Sequence, residues 1–215
     1  MTLLAERPGS EPRNKAFQVV DLTSYEDFAG RKRFTREDCD FLERVEVLTE
    51  RYELIDGEII VKMGNKPPHA LVMTLLSEWL TSVFGAKYVY NQAEIEIGAE
   101  DRSTSRPQPD LAVLARPVTE FATAVVGPGD IRLVVEVSDT TLSQDLRTKA
   151  ALYARAGIPE YWVADIVGRR FFVHTGPDRE HGGYMSVTTY GEFDSLAALA
   201  APEHSLVVGS VLPPQ

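Results

Sequence analysis

Two apolar runs in this chain each carry a charge in an awkward place, and the patterned segments around them set the order of elements. Asp110-Leu-Ala-Val-Leu (110–114) and Ile131-Arg-Leu-Val-Val-Glu-Val (131–137) read as short strands. Tyr52 to Val61 reads as a hairpin turning at Asp56-Gly57, a pair suited to a type I′ turn. Further strands are expected over 88–90 continuing into 92–97, over 161–166, and over 170–175. From His69 to Phe84, Leu71, Leu75, Trp79 and Phe84 have further apolar neighbours on most sides, which predicts a largely buried helix. A second helix is expected from Thr140-Thr141 to Ala156, with Gly157 at its C′ position and Pro159 confirming the stop. Thr35 ahead of Glu37 and Asp38 allows a helix start there. The last segment, 184–212, reads as a hairpin and a short helix at Ser195–Leu199.

The order is helix, three strands, helix, two strands. A strand reached through a helical crossover usually lies parallel to its neighbour. The expected fold is therefore α/β, a mixed sheet flanked by helices. Residues 1–44 form an N-terminal extension whose polar, Pro- and Gly-containing start (1–16) reads as flexible. Residues 45–190 form the core, and 191–215 a C-terminal extension packing on it.

The chain has 215 residues, enough to bury a core without staples, and its single cysteine, Cys39, permits no intrachain disulfide. No signal peptide is legible at the start, and no stretch reaches the ~18 apolar residues of a membrane helix. These readings point to a cytoplasmic protein with no membrane partner. The net charge of −10 argues against a protein that coats nucleic acid indiscriminately. It leaves room for an acidic metal site beside a local basic patch, for which Arg147, Lys149, Arg155, Arg169 and Arg170 are candidates.

Charges are rarely buried unless paired or bound to metal, so the misplaced ones carry the chemistry. Asp110 opens its run, where a turn residue is the ordinary alternative. Glu136 lies near the end of the most apolar strand, where α/β sheets gather ligands. Leu142, Leu146, Lys149 and Tyr153 recur at spacings of four, three and four, so Lys149 sits in the inward stripe of its helix. Its alternative is an exposed pair with Asp145 one turn earlier. Two carboxylates from adjacent strands suit Mg²⁺, or Mn²⁺ in its place, and Lys149 beside them suits charge building on a phosphate. No Cys cluster or close His pair suggests zinc.

The same residues resemble the PD-(D/E)XK nuclease superfamily. More closely, the chain resembles the Uma family of restriction-endonuclease-like proteins over about residues 45–175. The likeness rests on Tyr52-Glu-Leu-Ile-Asp-Gly-Glu, His69 opening a helix, Gln108-Pro-Asp-Leu-Ala-Val, Val134-Val-Glu-Val-Ser-Asp, Asp145 with Lys149, and Tyr153-Ala-Arg-Ala-Gly-Ile-Pro-Glu-Tyr-Trp-Val-Ala-Asp. It implies a restriction-endonuclease-like fold and a metal-dependent endonuclease acting on nucleic acid, DNA before RNA, with a homodimer as the assembly by analogy. The superfamily places its lysine two residues after the glutamate, where this chain has Ser138. The resemblance implies that Lys149 supplies the charge instead.

By resemblance, Asp110 and Glu136 are metal ligands, with Val137 offering its carbonyl and Glu53 or His69 completing the site. Glu53 also suits a salt-bridging strand residue, and His69 a helix-end histidine. Gln92 reads as a strand residue with a backbone partner, and Trp79, Tyr161 and Trp162 read as core. Two other functions stay open. One is an inactive nuclease-fold binding or assembly protein. The other is a phosphohydrolase acting on a small substrate.

Overall fold

A computed structural model of the chain describes residues 32–62, 64 and 66–214, so the expected tail at 1–16 lies outside them. Helix α1 (Arg36–Arg44) starts at Thr35, whose hydroxyl accepts from the Asp38 N–H while the Asp38 carboxylate accepts from the Thr35 N–H. That reciprocal cap satisfies two orphan donors of the first turn. Strands β1 (Tyr52–Ile55) and β2 (Glu58–Val61) form the expected hairpin. Asp56 and Gly57 both take positive φ, 50° and 78°, as a type I′ turn requires.

Helix α2 (Pro67–Phe84) carries prolines in its first turn, where their missing N–H groups cost nothing. It is less buried than its composition predicts: Val72, Leu76 and Leu80 are inside, while Leu71 is 38% exposed. Their spacing of four makes one narrow stripe, because the helix covers the sheet from one side only.

The central sheet holds β3 (Val89–Asn91), β4 (Leu111–Leu114), β5 (Ile131–Ser138), β6 (Glu160–Asp165), β7 (Arg170–Asp178) and β8 (Gly183–Gly191), in that spatial order. All neighbours are antiparallel except β5 and β6, which run parallel across the helical crossover. The chain is therefore a mixed α/β sheet packed by helices. The expected strand at 92–97 does not form. Gln92 turns at φ 46°, its N–H donating to the Asp110 carbonyl, and only Ile95 makes a bridge, to Val126.

The crossover helix is interrupted. After α3 (Leu142–Gln144) comes a π-turn (Asp145–Lys149), and α4 (Ala150–Ala156) ends at Gly157 in the left-handed conformation. At the C-terminal end, the predicted short helix at Ser195–Leu199 is instead strand β9 (Ser195–Ala197), paired with β10 (Ser205–Val207). Leu196 and Leu206, pointing inward from these extended strands, join the core under α2 together with Val208 and Val211 of the 3₁₀ turn that follows (Val208–Val211).

The sheet separates two apolar layers. Leu111, Leu133, Val135 and Trp162 face α2, and Trp79 lies 6.0 Å from Trp162, ring centre to ring centre. Ala112, Val134, Tyr161 and Val163 face α4. Trp162 and Tyr161 are fully buried. No helix among the described residues is long and apolar enough to cross a membrane.

Candidate functional site

The period-2 alternation of β4 and β5 decides which charges meet. Leu111 is registered with Val135, and one step further brings Asp110 opposite Glu136. Both lie on the face shared by Ala112 and Val134, which α4 covers. The β1–β2 hairpin is tied to the same place, because Arg106 donates its backbone N–H to Leu54 and Gln108 donates its own to the Glu53 carboxylate at 2.6 Å. Glu53 is thus held against the segment that leads into Asp110.

Lys149 reaches into this group. Its Nζ lies 2.9 Å from Oε2 of Glu53, 2.9 Å from Oε1 of Glu136 and 3.8 Å from Oδ1 of Asp145. All four side chains are buried, so the exposed pairing of Asp145 with Lys149 is not what forms. The π-turn sets this geometry: one extra residue in the helical turn carries both Asp145 and Lys149 inward. The Asp145 carbonyl that closes the turn also accepts from the Tyr161 hydroxyl at 3.0 Å, and its side chain accepts from Thr141 at 2.6 Å. Tyr153, four residues past Lys149, donates its hydroxyl to Oε1 of Glu136 at 2.9 Å.

On the other side, Oδ2 of Asp110 accepts the Val137 N–H at 2.9 Å and lies 3.3 Å from Nε2 of His69. A strand residue's N–H and C=O share one edge, so the Val137 carbonyl is on the Asp110 side as well. His69 Nδ1 is buried and has no hydrogen-bond partner among the described residues. The sequence-derived residues Glu53, His69, Asp110, Glu136, Val137 and Lys149 all line one cavity of about 200 Å³, together with Lys62, Lys66, Gln92, Asp139, Thr140, Thr141 and Asp145.

The electrostatics are those of crowded acids around one buried ammonium, Lys149, with a second, Lys62, 3.5 Å from Oε1 of Glu53 at the margin. Burial opposes the charge on Glu136, Lys149 favours it, and Glu53, Asp110 and Asp145 oppose it again; the balance raises Glu136 above the ordinary carboxylate range, to about 8. Burial likewise raises Asp145 against the pull of Lys149 and Thr141. Burial works against the charge on Lys149, but Glu136, Glu53 and Asp145 outweigh it and hold the ammonium protonated well above its usual range. Asp110 is lowered: burial is overcome by the hydrogen bond and charge of His69, the Val137 N–H and Lys62.

The donor set fits a hard cation. Oδ1 of Asp110 and Oε2 of Glu136 accept no hydrogen bond from the described residues, and both side chains line the cavity. With the Val137 carbonyl they form an oxygen-only set next to an excess of negative charge, which a divalent cation would relieve. The set is not a cage: among the described residues, no group of three or more His, Cys, Asp or Glu is arranged to hold a metal ion. Such a site leaves most coordination positions to water and substrate, the habit of Mg²⁺.

The expected basic patch does not assemble among the described residues. Arg155 pairs with Asp101, Arg169 with Glu192 and Arg170 with Asp165, Lys149 is inside, and Arg147 is left exposed. The sequence reading missed three contributors: Tyr153, Tyr161 and the π-turn. Tyr153 was detectable, since it shares the inward stripe with Lys149.

The Uma2 family model, described as "Putative restriction endonuclease", matches residues 40–209. The crystal structure of "a putative nuclease belonging to DUF820 from Anabaena variabilis ATCC 29413" is similar in fold. It has a TM-score of 0.59 at 15% identity over 79% of this chain and 96% of that one. No curated protein matches the chain in sequence.

Proposed function

The chain belongs to the Uma2 family, and from that premise we propose that it is a metal-dependent endonuclease that hydrolyses phosphodiester bonds of nucleic acid, DNA in the first instance. The observation that carries the reading is Lys149 held at 2.9 Å from both Glu53 and Glu136, beside two carboxylates with an unused oxygen each. A family of nucleases needs a fixed cation and a hard-metal site at the same phosphate, and this cavity offers residues for both.

In this reading Asp110, Glu136 and the Val137 carbonyl hold Mg²⁺ or Mn²⁺. When bound, the ion supplies Lewis acidity to a phosphate oxygen and lowers the cost of charge at the scissile phosphorus. The other roles belong to the chain itself. Lys149 stays protonated, so it serves as a fixed positive charge that orients the attacking water and stabilises the pentacoordinate phosphorus, not as a proton acceptor. Glu53 holds Lys149 in place from the side opposite Glu136. His69 pairs with Asp110 and keeps Oδ2 occupied, which leaves Oδ1 for the cation. Water attack breaks one P–O bond and yields a phosphate monoester and a hydroxyl. We place the protein in the cytoplasm, where the buried free thiol of Cys39 suits a reducing compartment. A homodimer is the assembly expected by analogy.

One observation favours a second reading, hydrolysis of a smaller phosphorylated substrate. The cavity is only about 200 Å³, and Arg155, Arg169 and Arg170 are neutralised by acids instead of lining a path for a polyanion. The test is cleavage of supercoiled plasmid, a single strand and a chromogenic phosphodiester, with Mg²⁺, Mn²⁺ or EDTA. Metal-dependent cutting of nucleic acid that disappears in Lys149→Met supports the nuclease. Turnover of the small diester alone supports the second reading. No turnover of any substrate contradicts both and leaves a nuclease fold used for binding or assembly.

A further inference from the structure

We propose that β8 is a self-association edge, through which two copies of this chain join their sheets antiparallel about Val187. The two edges of the central sheet differ sharply. β3 is three residues long, too short to template another strand, while β8 runs for nine residues and, among the described residues, pairs with β7 alone. Long edges are normally blunted by charges, prolines or bulges. β8 has none of the first two: Gly-Tyr-Met-Ser-Val-Thr-Thr-Tyr-Gly contains no Lys, Arg, Asp, Glu or Pro in a chain that is 25% charged. Residues 185–189 are all exposed, with Met185 at 83% and Val187 at 53%, and Phe193 just beyond is 91% exposed.

The order of those residues identifies the occupant. The strand reads nearly the same in both directions. Pairing it antiparallel with a second β8 sets Val187 against Val187, Ser186 against Thr188, Met185 against Thr189, Tyr184 against Tyr190 and Gly183 against Gly191. All of these pairs but Met185–Thr189 match in polarity, and no like charges meet, which is what a two-fold, self-complementary interface requires. The interface lies at the far end of the sheet from β4, so it is independent of the nuclease reading, and either can fail without the other. Strand pairing alone buries little, so the association belongs with small, exchangeable interfaces.

Sedimentation of the full chain across a micromolar-to-millimolar series tests this. The expected result is a reversible dimer whose dissociation constant rises at least tenfold in Val187→Lys, which sets two ammonium groups opposite each other. Circular dichroism confirms that the variant keeps its fold. A second arm uses mild oxidation: Val187→Cys cross-links with its own copy, because directly opposed strand residues lie within disulfide range, whereas Ser186→Cys, offset from its copy, does not. A chain that is monomeric throughout overturns the proposal. So does a dimer that Val187→Lys leaves unchanged, or equal cross-linking in both cysteine variants.

Discussion

Tyr153 donates its hydroxyl to the same Glu136 oxygen that faces the Lys149 ammonium, each at 2.9 Å. With Oε1 held by two partners, Oε2 is the oxygen left for a cation. Tyr153→Phe removes one of the two. We expect a stability loss of about 1 kcal/mol, as for a single buried hydrogen bond. Metal affinity should fall about 10-fold or more, as when a ligand loses its outer partner. Urea unfolding and Mn²⁺ titration read the two effects separately.

Lys149→Met leaves Glu53 and Glu136 buried together with no ammonium between them. Breaking a buried pair from one side costs about 3–5 kcal/mol, so the metal-free variant should unfold at distinctly lower urea. Millimolar Mg²⁺ should recover much of that loss by screening the carboxylates, yet cleavage should stay absent. Recovery of stability without recovery of turnover separates a role in chemistry from a role in folding.

The raised Glu136 makes a signed prediction about pH. Its folded value of about 8 lies above the ordinary glutamate value of 4.5, so between them the folded chain binds more protons than the unfolded one. Without metal, stability is therefore fully present below about 4.5 and declines as pH rises toward 8. Asp145 is raised too and acts in the same direction. Asp110 is lowered and acts oppositely, but only in acid below its ordinary value. A cation competes with the proton on Glu136, so Mg²⁺ affinity should rise over the same interval with proton release. Calorimetry in two buffers of different ionisation enthalpy measures that release, and none near neutral pH would contradict a protonated Glu136.

Tyr161 acts one step further away, as a positioning residue. Its hydroxyl reaches the carbonyl that closes the π-turn, and that turn aims Lys149. Tyr161→Phe should lower kcat several-fold while leaving KM and Mn²⁺ affinity near wild type. A purely structural role would instead lower stability with unchanged kcat in the folded fraction.

Much of this was legible in the sequence, because misplaced charges in apolar runs are a local signal. Asp110, Glu136 and Lys149 each stood out against their neighbours, and the stripe spacing put Lys149 and Tyr153 on one face. Register was not local: that Asp110 falls opposite Glu136 depends on β4–β5 pairing, which no short window encodes. The π-turn was illegible, since the run 142–156 satisfies helical spacing with or without one extra residue in a turn. Ser195–Leu199 misled because its Ala and Leu favour helix, while pairing with β10 and burial of Leu196 decided for strand.

The most direct measurement is calorimetric titration of Mg²⁺ and Mn²⁺ into the wild type, Asp110→Asn and Glu136→Gln, beside plasmid and single-strand cleavage by the same samples. One metal-binding event is expected in the wild type, weakened at least tenfold in each variant, with cleavage lost in both. No binding at millimolar metal, or binding and cleavage unchanged in Asp110→Asn and Glu136→Gln, would contradict it.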